Sequence, residues 1–342
     1  MQHEITRPRP LLDAKGNIAE PGFARRLLPV YRRADVKAGA LRIKEWDYYL
    51  VSNGRFALAL TVADNGYMGL DSVSFIDLEN LWQHTASPMC VLPLGRRHMP
   101  ESSETGDVRA KGRGYEISFR HIVGGRLLSF RMDNFLGSLP IKGEIVLTRE
   151  PGESIVMCTP FRKRAHFYYN QKINCMRASG TVSVRGRSYA FEPADSFAVL
   201  DWGRGVWTYS NTWYWGSASG EAEGVPFGFN LGYGFGDTSA ASENALFYDG
   251  KLHKLSRVTF NIPRRAGEFD YLAPWTITSD DSRFEMDFKP VLDRSADIDA
   301  KLLRSEQHQV FGLFTGTAVL DNGRRIKLRD FPGFAERVVN KW

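Results

Sequence analysis

The chain is poor in the features that usually announce a chemistry. Three cysteines, Cys90, Cys158 and Cys175, occur in 342 residues, and none forms a Cys-x-x-Cys pair. So sparse and odd a set fits reduced thiols in a cytoplasm better than a disulfide framework. No apolar run approaches the roughly 20 residues of a membrane-crossing helix; the longest, Phe56 to Val62 and Phe197 to Leu200, are strand-sized. The opening residues Met1 to Pro10 carry Glu and Arg without an apolar stretch, so no secretory leader is expected. Charge imbalance is slight, 45 basic against 39 acidic residues for a net +6, and the longest basic cluster is Arg162-Lys163-Arg164. Without a basic stripe interleaved with aromatics, nucleic acid is not an expected partner. His84, His98, His121, His253 and His308 are scattered without metal-ligand spacing, so no metal is expected. There is no Gly-x-Ser-x-Gly elbow. The run Gly232-Tyr-Gly-Phe-Gly236 lacks both the spacing of a dinucleotide loop and a following helix, so no cofactor is expected either.

Aromatics and glycines are plentiful: 8 Trp, 13 Tyr, 22 Phe and 32 Gly. That pairing suits short strands joined by tight turns. Residues 1–44 read as an extended arm with Pro8, Pro10 and Pro21, and one short helical candidate at Phe23 to Tyr31. From Trp46 onward the hydrophobic period is two. Asn53-Gly54 separates two strand patterns as a favoured hairpin turn, and further turn signals follow at regular intervals. Three landmarks recur: Phe56 to Thr61 with Phe227 to Gly232, Gly114 to Arg120 with Arg283 to Lys289, and Ile141 to Leu147 with Phe314 to Leu320. Their near-equal offsets predict a duplicated unit. The expectation is an all-β chain of two tandem lipocalin-like antiparallel barrels or sandwiches, with the arm at 1–44, one unit at 45–178 and the second at 179–342. A barrel of this size can hold one ligand.

Residues 166–244 carry the densest chemistry. Alternation places His166, Tyr168, Asn170, Lys172 and Asn174 on one strand face, which is either solvated or lines a cavity. In the second case Lys172 is a buried amine with a lowered pKa and His166 a proton carrier. Asp201 follows an apolar strand directly, and Gly203 and Gly205 permit a bend after it. An apolar surrounding would raise such a carboxyl, as a general acid requires. Trp202, Trp207, Trp213, Trp215 and Tyr209 crowd the same segment, and indole faces can steady a developing carbocation. The alternative is an Asp201–Arg204 pair beside an aromatic core. Asn230, Tyr233, Glu243 and Asn244 are further candidates for contacting a substrate, and buried polar groups there would need partners.

At these residues the sequence resembles a known family. Arg9-Pro-Leu-Leu-Asp-Ala-Lys-Gly16, Phe167-Tyr-Tyr-Asn-Gln-Lys-Ile-Asn174, Leu200-Asp-Trp-Gly-Arg-Gly205 and Glu243-Asn-Ala-Leu-Phe-Tyr-Asp-Gly250 are similar to the bacterial domain of unknown function 2804 family, over nearly the whole chain. The hairpin Ser179 to Tyr189, leading into a strand that ends in an acid and Trp-Gly, resembles more distantly the two-domain calycin proteins. These include AttH-like proteins, carotenoid 1,2-hydratase, tocopherol cyclase and fungal lipocalin-like pericyclases. The family's usual Asp-His or Asp-Arg-Gln-Trp-Gly segment reads Asp201-Trp202-Gly203 here, so a His-assisted acid is not carried over. The resemblance implies a lipocalin-like fold and two functional readings. One is a cofactor-independent hydratase, cyclase or isomerase that holds an isoprenoid or lipid-like substrate between the halves, in which Asp201 alone matches a family acid, while His166 and Lys172 join it as catalytic candidates from their place on the strand face rather than from the resemblance. The other is a non-catalytic binder of a lipid or small hydrophobe. A structural or stress-linked protein without ligand is the third alternative.

Overall fold

A computed structural model of the protein describes residues 2–300 and 303–341. Among these residues there is no α-helix, and therefore no helix long and apolar enough to cross a membrane. Two large curled antiparallel sheets carry the chain.

The first sheet has fourteen strands. It opens with a meander of Ile43–Ser52, Phe56–Asp64, Met68–Asp77 and Trp82–Ala86. It continues through Val108–Gly112, Tyr115–Ile122, Gly125–Leu136, Leu139–Thr148 and the long Phe167–Val184. It ends with Phe197–Val206, which pairs back onto Ile43–Ser52. The second sheet has nine strands and repeats the plan. Its meander is Ser210–Ala222, Val225–Tyr233, Ala245–Tyr248 and Lys251–Lys254, and its last strand, Arg325–Lys341, pairs back onto Ser210–Ala222. The expected division at 178/179 lies inside the strand Phe167–Val184, whereas the hydrogen-bonded sheets change between Val206 and Ser210.

Turn chemistry sets the meander. Gly54 has φ +80, and the Asn53 side chain accepts from the backbone N–H groups of Arg55 and Phe56 at 3.1 Å each, which closes the first hairpin. The arm contains no α-helix, only single 3-10 turns at Arg33–Asp35 and Ala40–Arg42. Gly22–Ala24 instead adds as a strand to Ile155–Pro160, and Pro29–Val30 pairs with Arg9–Pro10. The edge of Ile155–Pro160 offers Gly22–Ala24 backbone partners, and Pro29 lacks the N–H a helix would use.

Each sheet wraps its own core. Leu58, Leu60, Leu200, Trp202 and Tyr169 belong to the first, and Phe229, Phe284, Phe314 and Trp275 to the second. A third cluster lies between them: Tyr48, Leu50, Val199, Trp215, Phe311 and Phe334. The outer faces of the two sheets therefore pack on each other. All ten residues of Phe197–Val206 are buried, because one face lines the first core and the other meets the second sheet.

Candidate functional site

The seam between the sheets brings polar residues from seven strands together. Asp201 on Phe197–Val206 lies opposite Lys172 on Phe167–Val184. Opposed residues of an antiparallel pair share a face, and Lys172 Nζ is 2.8 Å from Asp201 Oδ2. Asn170, two residues from Lys172, donates Nδ2 to Asp201 Oδ1 at 2.5 Å and to the Trp202 carbonyl at 2.8 Å. Both carboxylate oxygens of Asp201 are thus acceptors. Lys172 Nζ also sits 4.2 Å from the Trp215 ring of the second sheet.

The second sheet supplies the facing wall. Trp215 donates Nε1 to Asn230 Oδ1 at 2.7 Å, and Asn230 donates Nδ2 to the Glu243 carbonyl at 2.9 Å. Glu336, 4% exposed, accepts from Trp213 Nε1 at 3.1 Å and from Gln309 Nε2 at 3.0 Å. Gln309 also donates to the Tyr48 hydroxyl at 3.4 Å. Burial lifts the Glu336 carboxyl to about 7 against the opposing pull of the Trp213 donor, Arg294 and Lys172. Burial also raises the Glu243 carboxyl, with Lys172 opposing, and pushes the Tyr48 phenol up to about 12. Beside the carboxyls stands an aromatic group. Trp46 stacks on Tyr168 with centroids 6.1 Å apart, and Phe235 meets Trp207 at 4.9 Å and Trp213 at 5.4 Å. The arrangement joins a protonatable acid, an ion-paired carboxylate and π faces in one buried seam. Among the described residues no three His, Cys, Asp or Glu side chains are grouped to hold a metal ion.

The expected residues divide between several places. Asp201, Lys172, Asn170, Trp213, Trp215, Asn230 and Glu243 meet in the seam, with Tyr168 and Trp207 in the adjoining aromatic group. His166 lies in the turn before its strand, with Nδ1 2.9 Å from the Arg164 carbonyl oxygen. Six strand residues, about 20 Å, separate it from Lys172. Tyr209 is 49% exposed. Tyr233 stacks on Tyr214 at 4.5 Å and accepts from the Phe260 N–H, while Asn244 holds Gly232 N–H and the Ser256 carbonyl. Trp202 and Arg204 point the other way, into the first core. Trp202 meets Tyr169 there, and Arg204 pairs with Asp47 rather than Asp201 and donates to the Pro100 carbonyl. With Arg126 bound to Tyr49, Glu150 and the Ser103 carbonyl, the first barrel is filled by its own side chains and the 100–103 loop. Nor does the chain bend after Asp201: the strand runs on to Val206, and a Cβ at Gly203 would collide with the Trp46 ring. That glycine makes room for an aromatic.

Glu336, Gln309, Tyr48, Trp46 and Arg294 are not legible as site residues in the sequence. One signal exists. Glu336 shares strand parity with Phe334 and Val338, and Gln309 with Phe311, so each is a polar residue in an apolar register.

A family model described as a domain of unknown function (DUF2804) matches residues 2–342. The structure of an AttH-like protein from Nitrosomonas europaea is similar at TM-score 0.55 and 13% identity, covering 88% of this chain and 92% of that one. Kievitone hydratase from Nectria haematococca matches at TM-score 0.49 and 9% identity, covering 97% and 98%. CghA, solved with Sch210972, matches at 0.47 and 9%, covering 97% of each chain. No curated protein matches the sequence. The likeness to the AttH-like protein shows the shared two-domain, lipocalin-like β fold.

Proposed function

The chain belongs to the DUF2804 family, and from that premise we propose that it is a cofactor-independent acid–base enzyme acting on an apolar, isoprenoid- or lipid-like substrate held in the seam. The observation that carries this reading is Glu336: a buried carboxyl lifted to about 7, facing the Asp201–Lys172 pair among indole rings. A general acid works best with a pKa near the operating pH. Glu336 protonates an alkene carbon or an activated oxygen, and the Trp215 and Trp213 faces steady the positive charge that develops. Asp201, held in place by Lys172 and Asn170, accepts the proton released by attacking water in a hydration, or by the substrate carbon in an isomerisation or cyclisation. Solvent exchange then resets both carboxyls. Three unpaired cysteines fit a cytoplasmic setting.

A solvent-isotope survey tests this without an identified substrate. Protein in heavy water is incubated with an apolar cell extract, and products are surveyed by mass spectrometry for carbon-bound deuterium. The expected result is a deuterated species formed by the wild type and lost in Glu336→Gln. Deuteration unaffected by Glu336→Gln argues against this role.

A second reading, a non-catalytic binder, is favoured by the engagement of both Asp201 oxygens, which is also what a purely structural ion pair would look like. In that case Asp201→Asn changes ligand binding little.

A further inference from the structure

A cavity of about 260 Å³ opens along the seam beside the carboxyl cluster. Its walls include Leu50, Val199, Ser217, Phe311 and Phe334. Each of these lies two residues along the same strand from a member of the cluster: Tyr48, Asp201, Trp215, Gln309 and Glu336 in turn. Two strand residues span about 7 Å on one face. The cavity is therefore the next step along the seam from the reacting groups, on five strands at once. Its wall is chiefly apolar, and acids stand at its rim: Asp195, paired with Arg55, and Glu221, paired with Arg177.

The polar atoms of the cluster are asymmetric. The indole N–H groups of Trp213 and Trp215 and the amide N–H groups of Asn170 and Gln309 all donate to protein acceptors. Among the described residues, the buried carbonyl oxygens Asn170 Oδ1 and Gln309 Oε1 have no hydrogen-bond partner. Asn170 is 0% and Gln309 1% exposed, and a buried acceptor left unmet is costly. Each of these two carbonyls lacks a donor. Three carboxyls, Asp201, Glu243 and Glu336, stand in the cluster next to the cavity, where Lys172 pairs with Asp201 and Arg294 donates to the Ser74 hydroxyl. An anionic head would meet repulsion there.

Resting on the acid–base reading above, we infer that the substrate is an uncharged, compact apolar molecule bearing a hydroxyl, its body in the seam cavity and its hydroxyl donating to Gln309 Oε1. A cavity of roughly 150 Å³ holds benzene, so this one suits a body the size of two fused rings or a branched chain of similar bulk.

Three compounds of one shape separate the terms: 2-naphthol, naphthalene and 2-naphthoate, with binding to the full-length protein followed by tryptophan fluorescence near neutral pH. The expected order is naphthol about five- to tenfold tighter than naphthalene, as one buried hydrogen bond supplies, and naphthoate weakest. Gln309→Leu brings naphthol to the level of naphthalene, and Leu50→Trp, which fills the cavity away from the polar groups, excludes both. Equal binding of naphthol and naphthalene by the wild type, or tightest binding of naphthoate, overturns the hydroxyl-bearing class and leaves the seam reading standing. If none of the three binds the folded wild type, the seam as a ligand site falls and this inference with it. The wild-type ranking decides even if Gln309→Leu does not fold.

Discussion

Burial of Glu336 has a consequence that a pH series can read. Its carboxyl is lifted from 4.5 to about 7 in the folded chain. A raised acid favours the folded state below its unfolded pKa and loses that advantage as pH climbs through the folded value. At 1.36 kcal/mol per unit, stability should fall by about 3 kcal/mol between about pH 4.5 and about pH 7 on account of this residue. Urea unfolding of the wild type and Glu336→Gln across that range should show the variant without this slope. The Asp201–Lys172 pair makes a different prediction. Asp201→Asn leaves a 3%-exposed ammonium without its counter-charge, which should cost about 3–5 kcal/mol. The double change with Lys172→Met should recover much of that, and a single-variant cost under about 1 kcal/mol would show that the pair holds little of the fold.

Single strands are largely readable in the sequence, and their partners are not. Of the five residues that the period of two puts on one face, Tyr168, Asn170, Lys172 and Asn174 lie buried in the strand Phe167–Val184, while His166 falls in the turn before it. Whether that face meets water depends on a sheet folded from residues after 209, which no local pattern reveals. Ser210–Ala222 is a full strand, yet its crowded Trp and Tyr read as pocket lining, and the helical reading of Phe23 to Tyr31 loses to a sheet edge. Of the repeated landmarks, Phe56–Asp64 and Val225–Tyr233 are second strands of matching meanders. The other two pairings cannot both hold, since Gly125–Leu136 separates Tyr115–Ile122 from Leu139–Thr148 while Phe284–Ala300 and Leu303–Val319 are neighbours. At this scale Gly203→Ala is the informative change. Its methyl has no room beside Trp46, so overpacking should cost about 1–3 kcal/mol and alter near-ultraviolet circular dichroism from the seam aromatics.

The two sheets share one buried seam, and the arm ties into both, with Arg25 donating to Glu153 in the loop before Ile155–Pro160 of the first sheet and to the Leu252 carbonyl of the second. Thermal unfolding followed by tryptophan fluorescence and by far-ultraviolet circular dichroism should therefore give one coincident transition; two separated transitions would show that the seam is weaker than either core. The strand Phe197–Val206 has a further consequence. Ala198, Leu200, Trp202 and Arg204 face the filled barrel, while Val199 and Asp201 face the seam. Evolution can thus rewrite specificity on one side of this ribbon without disturbing the scaffold on the other. A saturation library should display that separation as a beat of two along the strand, with intracellular abundance failing at alternate positions and ligand preference drifting at those between.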